Sequence, residues 1–365
     1  MQGGAVALLI VGAAVCVLAG AGRPRGCRGQ LPAAAAHHIP ELVRQLHQTD
    51  GPVQLVVDTD AGADDAVALL IALGTPGVSV EAITCANGNT VLDNVVANVL
   101  KTLDTAGRLD IPVYAGASQS ILETPESDNY FGEDGFGDIE YPNAPDPAEY
   151  LQKEHAVDAL VRIVSENPGN ITLLALGPLT NIALAIRKDP SFIQNVKQVA
   201  VLGGSVEGVG NRKPGVEFNI FMDPEAASIV FSSLAENTSE SKQVLLTPWE
   251  TVNMRNYITM DWRKNVLGVA NSLQISFLNK IEHYQLEANE TYWICADALS
   301  AAVLLNPNLI TKASSYGVSV EVQGRYGRGA FFVDYAESEE LAKNALIVQE
   351  INVQSYKDYL LTTLV

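Results

Sequence analysis

The chain has 365 residues, 47% of them hydrophobic and 18% charged, which is enough to bury a large core. Its formal net charge is -19 and its pI is about 4.6. A nucleic-acid polymer is therefore not an expected partner, because phosphate backbones are bound by basic surfaces, whereas small neutral ligands stay open.

Residues 5–19 are almost wholly apolar, and small residues follow at Ala19, Gly20, Ala21 and Gly22. This is the pattern of a secretory signal peptide over 1–22. Arg23, Arg25 and Arg28 lie beyond the apolar run, a charge order that also suits a signal anchor. Sequons at Asn170, Asn237 and Asn289 favour export and a glycoprotein. No second apolar run reaches membrane length, so the expectation is a secreted protein, free of the membrane once the signal is cleaved. Residues 23–50 read as a leader and 51–365 as one folded domain. Cys16 leaves with the signal, Cys27 lies in the leader, and Cys85 and Cys295 alone make no disulfide framework.

The folded domain opens on Leu55-Val56-Val57, a buried-strand pattern, which runs into Asp58-Thr59-Asp60-Ala61-Gly62-Ala63-Asp64-Asp65 and then a helical run over 66–73. Four carboxylates thus fall at the carboxyl end of a strand, where open α/β sheets place their ligand crevice. Held this close, they repel unless a cation or protons neutralise them. Oxygen-only ligands suit Ca2+ or Mg2+ rather than zinc. Helix capping explains Asp64 and Asp65 but not all four. An EF-hand loop counted from Asp58 needs Gly sixth and Glu twelfth, where the chain has Ala63 and Leu69. A phosphatase-type nucleophile at Asp58 or Asp60 leaves Asp64 and Asp65 without a role.

Strand and helix signals then alternate: a strand over 78–84, a helix over 91–105 and a short strand over 111–114. Residues 118–149 form a long loop rich in Pro, Gly and acids, of the kind that is usually functional or disordered. A helix over 155–165 and a strand over 171–175 follow, then a turn at Gly177-Pro178 into a helix capped near Thr180. Another strand spans 198–202, with a Gly-rich loop to Asn219. Glu217 and Asn219 alternate with apolar neighbours, as in an extended segment. Asp223-Pro224 opens a helix, as cap and first residue. A strand over 243–246, a helix-dominated stretch over 261–305 and a hairpin from 318–322 and 330–334 complete the pattern. The repetition predicts a Rossmann-like open, mostly parallel sheet with helices on both faces and extra carboxyl-terminal helices.

At this point the motifs become specific. Asp58 through Ala66 resembles the amino-terminal signature of the inosine-uridine-preferring nucleoside hydrolase family. Gly88-Asn89, the run 132–137 (GEDGFG), the run 176–183 (LGPLTNIA), Gly203-Gly204, and Asn211 with the run 217–227 (EFNIFMDPEAA) follow in the family's order. The resemblance implies a calcium-dependent enzyme that splits the N-glycosidic bond of ribonucleosides into ribose and free base. It also implies that Asp60, Asp65, the carbonyl of Leu176 and Asp297 hold Ca2+, with the ribose 2'- and 3'-hydroxyls and one water completing the shell. Asp60 would be the general base towards that water, and the transition state would resemble an oxocarbenium ion. Asp64, Asn89, Asn211, Glu217 and Asn219 match ribose-binding positions, and a homodimer or homotetramer is implied.

One departure concerns the leaving base. Many members of the family carry His immediately before the last metal Asp, and here that residue is Ala296. Phe131, before Gly132, is a candidate stacking face for the base and suggests a purine preference. Trp293 and Tyr292 are less certain second faces, for which core packing is the simpler expectation. Cys295 is at most a weak acid there. His155 and His283 show no ligand spacing, nor do His37, His38 and His47. Without the family's histidine, a noncatalytic secreted protein that binds nucleosides or ribose through calcium stays open as the alternative.

Overall fold

The structure is a computed structural model, and it describes residues 52–236, 242–255, 257–338 and 341–365. The expected signal peptide, the leader with Cys27, the sequon at Asn237, and His37, His38 and His47 lie outside the described residues.

The organising element is an eight-stranded sheet. Its strands are β1 (Val53–Thr59), β2 (Val78–Cys85), β3 (Val113–Ala115), β4 (Ile171–Ala175), β5 (Gln198–Leu202), β6 (Val244–Thr247), β7 (Ile310–Tyr316) and β8 (Ala345–Ile351). They lie in the order β3-β2-β1-β4-β5-β6-β8-β7. Every neighbouring pair is parallel except β8 with β7. The chain first winds outward from β1 through β2 to β3, then crosses back to β4 and winds the other way. β1 and β4 therefore flank the switch point, and ligands of such sheets bind outside the carboxyl ends of those two strands. The carboxyl half of β1, Leu55 to Thr59, and all of β4 are buried, so these strands read as continuous apolar runs rather than alternating ones.

Helices cover both faces. On one side lie α1 (Ala63–Gly74), α2 (Leu92–Ala106), α6 (Leu273–Ile281), α7 (Ala296–Leu305) and α8 (Val353–Leu364). On the other lie α3 (Ala156–Glu166), α4 (Thr180–Lys188) and α5 (Pro224–Ala235). This is the expected open α/β architecture. No described helix is long and apolar enough to cross a membrane.

Two local expectations fail for identifiable reasons. Glu217 and Asn219 are not in an extended segment, because Phe218–Met222 forms a short helix. The Glu217 carboxylate caps it, accepting from Asn219 N at 2.9 Å and Ile220 N at 3.3 Å. Thr180 is the first residue of α4 rather than its cap, and its hydroxyl donates to Asp223 Oδ2 at 2.7 Å. Asp223 does cap α5, accepting from Ala226 N at 3.0 Å. β7, β8 and α8 carry no motif and are not distinguished in the sequence pattern. The hairpin forms from Val318–Val320 and Phe331–Val333, paired antiparallel.

Candidate active site

β1 carries its last residues straight into the crevice. Asp58 pairs in register with Thr84 of β2 and Ala175 of β4. Its Oδ1 accepts from Thr84 Oγ1 at 2.5 Å and Asn181 Nδ2 at 2.8 Å. Asn181 also donates to the Cys85 carbonyl and accepts from Ala117 N, so Asp58 and Asn181 tie together the β1, β2 and β4 ends. Asp58 is thereby committed beneath the floor, and a nucleophilic role for it has no support in the geometry.

Beyond β1 the chain turns sharply. Ala61 takes a left-handed φ of 36°, an uncommon conformation for a residue with a side chain and one that concentrates at functional sites. The turn sets Asp60 between two glycines. A Cβ on Gly88 would come within 2.0 Å of Asp60 Oδ2, and one on Gly177 within 2.7 Å of Oδ1. Asp60 Oδ2 accepts from Asn89 N at 2.7 Å, whereas Oδ1 is buried with no hydrogen-bond partner among the described residues.

α1 then begins, with Asp64 and Asp65 in its first turn. Asp65 reaches back to accept from Gly62 N at 2.8 Å, and the Thr59 hydroxyl donates to its other oxygen. α7 packs against α1 on the same face and brings Asp297 in its own first turn. Two helix amino termini thus present carboxylates at one place, a favourable end for negative charge. One oxygen from each of Asp64, Asp65 and Asp297 lies within 4.8 Å of the other two. The carboxylate triad that converges most closely therefore includes Asp64, expected as a sugar contact, beside Asp65 and Asp297, expected as metal ligands. Asp60 is not in that triad but lies close enough to act electrostatically on Asp297.

The electrostatics are one-sided. Burial pushes Asp58 and Asp64 up to about 7. Burial, then repulsion from Asp65, raises Asp60 well above the usual carboxylate range. Burial followed by Asp64, Asp65 and Asp60 does the same to Asp297, and burial raises Asp65. Among the described residues, no lysine, arginine or histidine lines the cavity to offset them. Asp58, Asp60, Asp64 and Asp297 each keep one buried oxygen without a hydrogen-bond partner among the described residues. Orphaned acid oxygens beside the convergent carboxylates of Asp64, Asp65 and Asp297, with no soft ligand among them, fit a hard divalent cation.

Above this floor opens a cavity of about 420 Å3, inside the range of roughly 300–1,000 Å3 common for small-molecule sites. Asp64, Asp297, Asn89, Leu176, Glu217 and Asn219 line its acidic end, and Asn211 also lines it. Asn219 Nδ2 donates to the Leu176 carbonyl at 2.6 Å and to the Leu202 carbonyl at 3.2 Å. Asn211 Oδ1 accepts from Phe218 N at 2.8 Å. Glu217 is pushed up to about 7 by burial despite three backbone donors.

The remaining walls are largely aromatic. Phe131 lines the cavity as expected, edge-on to Tyr130 at 4.8 Å. Trp293 both packs in the core and lines the cavity. Its Nε1 donates to buried Glu282 at 2.7 Å, and the guanidinium of fully buried Arg263, paired with Glu282, lies 5.5 Å from its ring. Tyr292 also lines the wall and stacks on Tyr257. Ala296 lines the cavity at the position where many members of the resembled family carry histidine. His283 does not line it, and its Nδ1 lies 3.0 Å from the Lys280 carbonyl oxygen. Burial raises the Cys295 thiol well above its usual range, and the thiol is free, as is Cys85. Tyr130, Trp249, Tyr284 and Gln285 also line the walls, as do the acids Asp128 and Glu290, and none of these is marked by the sequence pattern. Tyr130 adjoins Phe131, and Trp249 follows β6 at the sheet's ligand end, so position carried some signal for those two.

Comparison with known proteins converges on one family. The model described as inosine-uridine preferring nucleoside hydrolase matches residues 55–358. A pyrimidine-specific ribonucleoside hydrolase (RihA) from Enterobacter sp. (strain 638) is 31% identical over 312 residues, 84% of this chain and 96% of its own. A probable uridine nucleosidase 2 from Oryza sativa subsp. japonica is 41% identical over 210 residues, 56% of this chain and 61% of its own. Among solved structures, an inosine-guanosine nucleoside hydrolase superposes with a TM-score of 0.78 at 28% identity, over 85% of this chain and 98% of its own. A plant nucleoside hydrolase, PpNRh1, superposes with a TM-score of 0.76 at 30% identity, over 86% of this chain and 99% of its own.

Proposed function

Since the chain belongs to the inosine-uridine preferring nucleoside hydrolase family, we propose that it hydrolyses ribonucleosides with Asp60 as general base over a calcium-binding floor. The observation that carries this is the set of buried, partnerless oxygens of Asp60, Asp64 and Asp297 at the switch point of the sheet. Asp60, Asp64, Asp65 and Asp297 would hold the ion, with the Leu176 carbonyl beside them. When bound, the cation neutralises these carboxylates, orients the vicinal hydroxyls of ribose and acidifies a neighbouring water.

The chain's own groups do the rest. Asp60 takes a proton on Oδ1, while Asn89 N holds Oδ2 in place. Asp64, Asn89, Asn211, Glu217 and Asn219 seat the sugar at the acidic end. As the glycosidic bond breaks, positive charge grows on the ribose, and the fixed carboxylates beneath stabilise it. The base departs among Phe131, Tyr130 and Trp293, which line that part of the cavity. With Ala296 in the lining, no side chain at that position donates the proton the leaving base needs; water supplies it, and stacking on these rings favours the protonated base.

A preference for purines follows from Phe131 and the breadth of the aromatic walls. The relatives named for pyrimidines set the opposite expectation, so inosine against uridine decides it. Secretion is part of the proposal, supported by the apolar segment 5–19 and by the exposed positions of Asn170 and Asn289, although Thr172 of the first sequon is buried in β4. So is a homodimer or homotetramer, for which Val269 and Leu273 offer apolar surface that is 69% and 75% exposed. The test is ribose release from inosine, adenosine and uridine, with Asp60→Asn as control. Ribose from the wild type and almost none from the variant is expected. A variant with full activity overturns the assignment of the base.

A further inference from the structure

Two buried acids organise the loop that follows β5, and only one of them faces the cavity. Glu217 lines it and accepts from Gly204 N at 2.9 Å. Glu250 is fully buried and does not line it. Glu250 Oε1 accepts from the Ser205 hydroxyl at 2.5 Å and from Glu207 N and Val209 N at 3.2 Å, and Oε2 accepts from Val206 N at 2.9 Å. Ser205 Oγ accepts in turn from Gly210 N at 3.0 Å. Directly beyond Gly210 the chain folds back on Val216, with Asn211 N and Arg212 N both donating to its carbonyl. This turn delivers Asn211, Glu217, Phe218 and Asn219 to the cavity wall. At its other end, Trp249 N donates to the Gly204 carbonyl at 3.0 Å, and the Trp249 side chain lines the cavity beside Glu250 in sequence.

We infer that Glu250 is a positioning residue for ribonucleoside binding: its carboxylate gathers residues 205–210 and thereby sets the sugar-facing side chains of 211–219 and the indole of Trp249. Four donors converge on it, and all come from this one loop. A carboxylate is acceptor-only, with about four lone-pair sites, so it can satisfy them all. An amide in its place turns two N–H groups into a ring of donors and leaves some of them unpaired. Burying a carboxylate among backbone donors, with no ion pair to it among the described residues, is costly, which a loop without a positioning task does not require.

This rests on the hydrolase reading above, so the experiment uses two readouts. Glu250→Gln in the full chain is expected to raise KM for inosine about tenfold, the effect of leaving buried donors unpaired, with kcat falling by less than about threefold. Ser205→Ala, which removes one of the four donors, is expected to raise KM about threefold and serves if the first variant does not fold. Glu350→Gln, whose exposed side chain pairs with Lys312 outside this loop, keeps the wild-type KM. Calorimetric affinity for inosine in an Asp60→Asn background follows the same order independently of turnover. Wild-type KM and affinity in both Glu250→Gln and Ser205→Ala, even with a lowered Tm, would overturn the inference and leave Glu250 a purely structural residue. A fall in kcat at unchanged KM and affinity would overturn it as well. A wild type that binds inosine without releasing ribose counts against the hydrolase reading alone, and the affinities then decide the role of Glu250.

Discussion

Without metal, the protein should lose stability as the pH rises from acid to neutral, the reverse of ordinary acid denaturation. Burial pushes Asp58 and Asp64 up from the usual carboxylate range to about 7, and Asp60, Asp65 and Asp297 are raised too, burial being the first cause in each. Between the unfolded and folded values the native state therefore holds more protons than the unfolded chain. The pH derivative of the unfolding free energy is then negative, at about 1.4 kcal/mol per pH unit for each extra proton. Asp58 and Asp64 together give about 3 kcal/mol per pH unit in the middle of that window. This contribution is fully present below about pH 4 and is lost as the pH climbs towards 7. Calcium should reverse the trend, adding about 2.7 kcal/mol at a hundredfold excess over its Kd. Urea midpoints across this pH range, with chelator and with calcium, measure both effects. Chelated protein whose stability stays flat or rises through this window would show that the acids are compensated by something other than protons or a cation.

Three further outcomes are expected. Gly88→Ala puts a Cβ where Asp60 Oδ2 lies, 2.0 Å away, so it should cut kcat about a hundredfold with the fold retained by circular dichroism. Asp60→Asn should lower kcat about 10²–10⁴-fold, the usual worth of a general base, as read by ribose release. Phe131→Leu removes a stacking face and should lower kcat/KM for inosine more than for uridine; an equal loss for both would remove Phe131 from base recognition.

β1, β2, β4, β5 and β6 were legible because they are mostly buried and the helices between them carry apolar stripes, so each announces itself locally, whereas β7, partly exposed at the sheet edge, and β8 did not. Asp58, Asp60, Asp64 and Asp65 were legible for a second reason: four acids beside an apolar strand need an explanation wherever the chain goes. Asp297 was visible only through the family resemblance, since nothing in its neighbourhood marks it as a partner of residues more than two hundred positions earlier. The short helix at Phe218–Met222 escaped the period-two pattern because a side chain, Glu217, supplies the acceptor that starts it. The Thr180 hydroxyl was misassigned because a distant acid, Asp223, competes for it. Glu250 was invisible for the same reason, as its four partners are identified only once the loop is folded.

Calcium binding by calorimetry, on wild type and on Asp65→Asn and Asp297→Asn, tests the convergent acidic floor most directly. One ion per chain in the wild type, with affinity largely lost in both variants, is the predicted result. No binding by the wild type, or wild-type affinity in Asp297→Asn, would contradict it, because the carboxylates of α1 and α7 would then not share an ion.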